Sequence, residues 1–276
     1  MEYMFKLRRG KLRNSEYPQG SPDKRVYAIG DVHGRLDLLN DLLTQIEEDN
    51  ARRSASETSI IFLGDLIDRG PDSRGVIERL MTAPPAMAKC YFLMGNHEEA
   101  LVRGLSGEPR LLAPWLNHGG LACVESYGVD IGTVHGQPDH VIEHVLMSAI
   151  PQSHIEFMRG FLDSIRFGDY LFAHAGIRPD VPINDQSSRD LKWIRKEFLE
   201  SEADFGCIVV HGHSITETVS ERPNRIGIDT GAYRSGILTA LRIEGTERSW
   251  LQTSGSPSEV IDLGASPTQT EFVAEI

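Results

Sequence analysis

Cysteine is scarce in this sequence. Cys90, Cys123 and Cys207 are odd in number and widely spaced, which argues against a disulfide framework or a CxxC metal knuckle. None has an arginine six places downstream, where Asn96, Val129 and His213 stand, so a phosphatase with a cysteine nucleophile and an arginine-closed phosphate loop is disfavoured. No GxG spacing occurs, nor a Walker-type GKS or GKT, which speaks against a dinucleotide fold or a P-loop enzyme. No apolar run is long enough to cross a bilayer. The first residues lack the apolar segment and cleavage site of a secretory signal, so the expectation is a cytoplasmic protein with no membrane partner. An excess of basic residues is lacking too. The formal net charge of -12 repels polyanions at long range, and no nucleic-acid partner is expected.

What is present is material for a sizeable core: 276 residues, 40% of them hydrophobic. Up to Asp23 the chain is polar and carries Lys6, Arg8, Arg9, Lys11 and Arg13, with Pro18, Gly20 and Pro22 breaking it, so residues 1–23 read as a basic arm. After Gln252 it is rich in Ser, Thr, Pro, Gly and acidic residues, and residues 253–276 read as a polar tail. The expected domain is therefore 24–252. Short apolar runs (Val26–Ile29, Ser59–Leu63, Cys90–Met94) alternate with helix-period segments. Leu36, Leu39, Leu42, Leu43 and Ile46 mark one such helix, and Val76–Met81 another that stops before Pro84. Residues 98–161 read as mostly helical, with Ser153 and Glu156 after Pro151 as a capping box. Ser164–Phe167, Gly168-Asp169 and Tyr170–Ala173 read as a hairpin, and a polar helix is expected around Trp193–Glu200 before a fifth run, Cys207–Val210. The last strands are expected at Arg225–Ile228, Ile237–Ile243 and near Trp250. Alternating elements predict βαβ units and a layered α/β fold.

The five apolar runs share one property. Each ends in a turn rich in metal-ligand or phosphate-ligand types: Gly30-Asp31-Val32-His33-Gly34, Gly64-Asp65-Leu66-Ile67-Asp68-Arg69-Gly70, Gly95-Asn96-His97-Glu98, His174-Ala175-Gly176 and His211-Gly212-His213. A lone Gly-Asp turn is ordinarily only a turn. Ligands of open α/β sheets, however, bind outside the carboxyl ends of the strands, and five such turns at one edge would gather Asp, His, Asn and Arg.

GDVHG, GDLIDRG and GNHE, followed by FAHAG and HGHS, resemble the metal-dependent phosphoprotein phosphatases. Their shorter bacterial and phage branch, which includes the phage lambda phosphatase, is the nearest to them. The resemblance spans about Val26 to Ala240. Ile228-Asp229-Thr230-Gly231 resembles a late motif of the bacterial branch, and Trp115 to Gly120 a stretch near the phage enzyme's active site. It implies a sandwich of two mainly mixed β-sheets flanked by helices, with the active site at the carboxyl ends of the strands. It also implies two divalent ions, manganese foremost with iron or zinc as alternatives, since the donors are oxygen and imidazole without thiolate. Asp31 and His33 would hold the first ion, Asp65 would bridge, and Asn96, His174 and His213 would complete the second. Arg69 and Arg195 match the phosphate-binding arginines, with Arg189 or Arg178 as alternatives to Arg195. His97 matches the acid, oriented by Asp68.

The chemistry implied is hydrolysis of a phosphomonoester by direct attack of a metal-activated hydroxide, with no phosphoenzyme. Arg forks would hold the terminal phosphate and an imidazolium would protonate the leaving group. The expected substrate is a phosphoprotein (phosphoserine or phosphothreonine, with phosphotyrosine open) or a phosphorylated small molecule. Three alternatives stand beside this reading. Symmetric dinucleoside tetraphosphate hydrolases share the motifs but should need extra basic or aromatic groups beside the metals. A nuclease or cyclic-nucleotide diesterase is disfavoured by Arg69 and by Ile215, which stands where a second histidine would follow His213. A non-catalytic metal- or phosphate-binding scaffold would require a missing ligand or acid, and none is missing.

Overall fold

The computed structural model describes residues 17–257. The basic cluster from Lys6 to Arg13 and the chain beyond residue 257 lie outside the described residues. Strand β1 (Lys24–Ile29) leads through α1 (Leu36–Ala51), β2 (Glu57–Phe62) and α2 (Ser73–Thr82) to β3 (Lys89–Phe92). A helical stretch follows: α3 (Asn96–Gly104), α4 (Leu112–Trp115), a π-helical turn over Leu116–Gly120, α5 (Leu121–Ser126), α6 (Asp139–Ala149) and α7 (Gln152–Arg159). The hairpin β4 (Ser164–Phe167) and β5 (Tyr170–Ala173) is succeeded by α8 (Ser188–Trp193), α9 (Lys196–Leu199), β6 (Ile208–His211), β7 (Ser220–Arg222) and β8 (Arg225–Gly227). The one-turn helix α10 (Ala232–Ser235) precedes β9 (Thr239–Glu244) and β10 (Glu247–Gln252).

The strands form two mixed five-stranded sheets, ordered β10-β9-β1-β2-β3 and β4-β5-β6-β8-β7. Each has three neighbouring parallel strands, β1, β2 and β3 in one and β5, β6 and β8 in the other, with the antiparallel strands outside them. The expected layered α/β sandwich is thus the fold the chain adopts. Strand side chains explain the short, uninterrupted apolar runs. Val26, Ala28, Ile61, Phe172 and Val210 fill the space between the sheets. Tyr27, Ile29, Ile60 and Phe62 point the other way into the larger helical core, while Leu171, Ala173 and Val209 face a smaller one against α8 and α9. A strand covered on both faces needs apolar side chains at every position rather than at alternate ones.

Several local expectations are corrected. Helix α7 starts at Gln152 with Pro151 at its N-cap, so Ser153 lies inside the first turn and caps nothing. The polar helix expected over Trp193–Glu200 is two short helices, broken where Ile194 turns extended and Arg195 leaves helical geometry. Strand β7 carries too few apolar residues to stand out. His154, on α7, is 1% exposed between the Tyr127 hydroxyl and Glu78. At the ends, Gly20 N donates to the Gly245 carbonyl, and Thr253 is buried with its hydroxyl on the Gly236 carbonyl. The docked chain therefore begins before residue 24 and extends past 252.

Candidate active site

All six parallel strands point their carboxyl ends at one edge, and each is followed by a short turn bearing polar side chains. Asp31 and His33 follow β1, the Asp65–Arg69 loop follows β2, Asn96 and His97 follow β3, His174 follows β5, His213 follows β6, and Asp229 follows β8. Asp31, His33, Asp65, Asp68, Asn96, His97, His174, His213 and Asp229 are all buried.

The turns are held in an unusual backbone. Of eight non-glycine residues at positive φ among the described residues, five belong here: His33, Asp65, Asp68, Arg69 and His213. Each left-handed residue costs on the order of 1 kcal/mol, so other contacts must fix it. Glu98 supplies many of them. Its carboxylate accepts from the backbone N–H groups of Asp65 (3.0 Å), Leu66 (2.7 Å), Ile67 (3.2 Å) and Gly95 (3.1 Å), closing the β2 turn onto the start of α3. The Asp65 carbonyl in turn accepts from Val32 and His33. Gly212 is required by space, because a Cβ there would lie 2.0 Å from Asp31 Oδ1.

Donor atoms converge at two places. His174 Nδ1 lies 2.8 Å from the Leu63 carbonyl, which assigns the hydrogen to Nδ1 and leaves a lone pair on Nε2. That lone pair faces Asn96 Oδ1 at 2.9 Å and Asp65 Oδ1 at 3.4 Å, and His213 Nδ1 stands 2.8 Å from the same Asn96 oxygen. At the second place, His33 Nδ1 meets the Ile67 carbonyl at 2.7 Å and turns its Nε2 lone pair inward, 3.6 Å from Asp65 Oδ2. Electron-pair donors turned toward one another repel unless a cation lies among them. His33, Asp65 and His97 form one group whose atoms could hold an ion, and Asp65, His174 and His213 another, so Asp65 belongs to both. Asp31 accepts from the His213 backbone N–H at 3.0 Å, which brings its carboxylate beside the same edge.

Charge argues the same way. Burial raises the pKa of Asp31, and the neighbouring Asp229 and Asp65 raise it further. Burial likewise raises Asp65 and Asp229 and lowers His33, His174 and His213. Buried carboxylates crowded together with imidazoles held neutral are a donor set that a divalent ion would neutralise. The residues present therefore fit two divalent metals.

Beside the donors lies a chain of groups suited to phosphate and proton handling. His97 Nδ1 is 2.6 Å from Asp68 Oδ2, and the half-buried Arg69 reaches His33 Nε2 and His97 Nε2, each at 3.0 Å. Burial first, and Arg69 second, lower the His97 pKa. Arg195 is exposed at the rim. Loss of water around its guanidinium and then the Arg69 charge lower its pKa, while Asp65, Asp31 and Asp229 raise it, so it faces the same edge. Arg178, one of the alternatives to Arg195, is committed to a fork on Asp190. His211 ends β6 with Nδ1 on the Gly212 carbonyl and stays outside the donor groups.

Four residues at this edge carry no role in the sequence reading. Asp229 and Glu98 were visible only as letters of motifs, and Trp115 as part of a resembling stretch. Tyr233 gave no signal, because α10 is a single turn. The Tyr233 ring lies 5.5 Å from that of His33, edge to face, and 5.1 Å from the Arg69 guanidinium carbon.

Fold and site together define a metal-dependent phosphoester hydrolase. The chain belongs to the calcineurin-like phosphoesterase family, whose profile matches residues 24–232. That family uses divalent metals, in keeping with the His and Asp groups above. Among similar proteins is a symmetrical bis(5'-nucleosyl)-tetraphosphatase of Acidovorax sp. strain JS42, 27% identical, with 80% of this chain and 92% of the relative covered. Another is the asymmetrical bis(5'-nucleosyl)-tetraphosphatase PrpE of Anoxybacillus flavithermus strain DSM 21510 / WK1, 25% identical, covering 78% and 88%. A crystal structure of a protein provisionally described as a diadenosine tetraphosphatase shares the fold at a TM-score of 0.59 and 21% identity, covering 86% of this chain and 99% of that one. No helix among the described residues is long and apolar enough to cross a membrane.

Proposed function

We propose that this protein hydrolyses a dinucleoside tetraphosphate at a centre of two divalent ions, with manganese the expected metal. The observation that carries the reading is Tyr233, an aromatic ring at the mouth beside Arg69 and His33, where a nucleobase or ribose of the bound dinucleotide can lie against it. Aromatic and basic groups beside the metals are what separates this reading from a plain phosphomonoesterase, and the tetraphosphatase relatives support it.

Asp31 and His33 would hold one ion, Asn96, His174 and His213 the other, with Asp65 shared. Bound there, the ions supply Lewis acidity and an activated water. Arg69 and Arg195 grip the phosphoryl oxygens as planar forks. Arg69 lies 3.0 Å from both His33 Nε2 and His97 Nε2, so a phosphate held by its fork sits beside the His97 nitrogen that is to carry a proton. Asp68 fixes the ring so that Nε2 faces the site, and His97 gives that proton to the departing nucleotide oxygen.

The experiment is product analysis by the metal-stripped protein with manganese restored, offered diadenosine tetraphosphate, a phosphoserine peptide and a phosphotyrosine peptide in parallel. Fast cleavage of the dinucleotide with idle peptides is expected, and the split into two ADP or into ATP and AMP assigns the symmetrical or asymmetrical mode. Peptide turnover well above the dinucleotide would overturn this reading in favour of a phosphoprotein phosphatase with the same metal site.

A further inference from the structure

The His97–Asp68 pair has a third member that comes from the helical stretch. Trp115 is 1% exposed and its indole Nε1–H donates to Asp68 Oδ2 at 2.6 Å, the same oxygen that His97 Nδ1 meets at 2.6 Å. Asp68 is itself fully buried, and its other oxygen, Oδ1, has no partner. A carboxylate with both donors on one oxygen can rotate to share them between two, so something must choose the orientation. The indole does so. Its ring is locked against Gly120, where a Cβ would stand 2.6 Å away.

The same segment holds the next residue. The chain kinks after Trp115, with His118 at φ -102 and Gly119 at φ 115 inside a π-helical turn. The Gly119 carbonyl accepts from the Arg69 N–H at 3.0 Å, and a Cβ on Gly119 would lie 2.6 Å from Arg69 Cγ. Such π-helical irregularities cost stability and occur frequently at functional sites. Here the kink brings one N–H to Asp68 and one carbonyl to the Arg69 backbone.

We propose that Trp115 is the positioning residue of the proton donor, fixing the Asp68 carboxylate so that the His97 ring presents Nε2 to the leaving group. This rests on the reading of His97 as the acid. Trp115→Phe keeps a flat ring against Gly120 and removes the N–H. It should leave metal content and KM unchanged. On phenyl phosphate, whose leaving group needs a proton, kcat should fall about tenfold, while p-nitrophenyl phosphate should change by no more than about twofold. In a His97→Asn background the same substitution should cost nothing further. Equal losses on both substrates, or an undiminished loss without His97, would overturn the proposal.

A measurement free of turnover, and of the folding of the Phe variant, uses the Trp115 indole 15N–1H resonance. It should lie downfield and move on Asp68→Asn in the metal-loaded protein, and an unmoved resonance would overturn the contact. A moved resonance in a protein that cleaves no phosphoester would leave the positioning contact standing and remove the hydrolase reading instead.

Discussion

The two ends of β1 treat buried charge in opposite ways. At its start, Arg25 is 1% exposed and fully engaged: Nε and Nη2 fork onto Glu244, Nη1 donates to Asn50, and Nη2 also reaches the Ser54 carbonyl. Arg242 donates to Ser249 and Glu244, and the Tyr27 hydroxyl to Asp49. At the other end, past Ile29, acceptors face acceptors. Six buried side-chain atoms among the described residues have no partner, and four of them, on Asp68, His213, Ser214 and Asp229, lie at this edge. Charge buried with complete partners is architecture, whereas charge buried without them marks where ions and substrate belong.

That contrast can be broken from either side. The largest effect is expected from Asp65→Asn or His33→Ala, which should lower activity by at least about a thousandfold through loss of metal. Metal content measured beside activity checks the cause, and chelation of the wild type followed by manganese should reproduce and then reverse the loss. His97→Asn comes next. It should retain metal and slow phenyl phosphate by about a hundredfold while sparing p-nitrophenyl phosphate; equal losses would remove His97 from the acid role.

The opposite end should respond in stability rather than activity. Arg25→Met leaves Glu244 to Arg242 alone and also removes the contacts to Asn50 and Ser54, which should cost about 2 kcal/mol by denaturant unfolding, with kcat per folded molecule kept. His211 sharpens the comparison through pH, since burial lowers its pKa from 6.5 to about 4. A group that resists protonation in the fold but accepts it when unfolded favours unfolding as pH falls. Its contribution is complete above 6.5 and is lost as pH drops toward 4, about 2 kcal/mol between pH 7 and pH 5. Melting curves of His211→Asn should show a smaller difference between those two pH values. The smallest effect is Lys24→Ala. Its ion pair with Glu57 is exposed, at 41% and 61% of the side chains, and about 0.5 kcal/mol or less should be lost.

Much of this was legible in the chain because parallel strands such as β1, β2, β5 and β6 are covered on both faces and so read as continuous apolar runs, with their ligands placed shortly after them. The hairpin at Gly168-Asp169 and the α2 stop before Pro84 follow local rules that tertiary contacts do not overrule. Ser153 shows the limit. A capping box needs the chain to enter the helix at that residue, and Pro151 starts the helix earlier. The break at Ile194 and Arg195 was illegible for the same reason, since the stretch from Trp193 to Glu200 has ordinary helical residues and only its packing bends it toward the site.

By itself, then, the sequence determined which residues could bond a metal or a phosphate and after which strands they fall, because side-chain chemistry and strand burial are local properties. Tertiary structure alone decided how they are joined. It made Asp65 common to both donor groups, set Glu98 beneath four backbone N–H groups, and brought Asp229 and Tyr233 from the last third of the chain to the first-strand ligands. It also carried Trp115 from the helical stretch onto Asp68, 47 residues away in sequence. The physical reason is common to all of these. Convergence depends on the order and direction of strands in two packed sheets, a relation between distant segments that no single stretch of residues encodes.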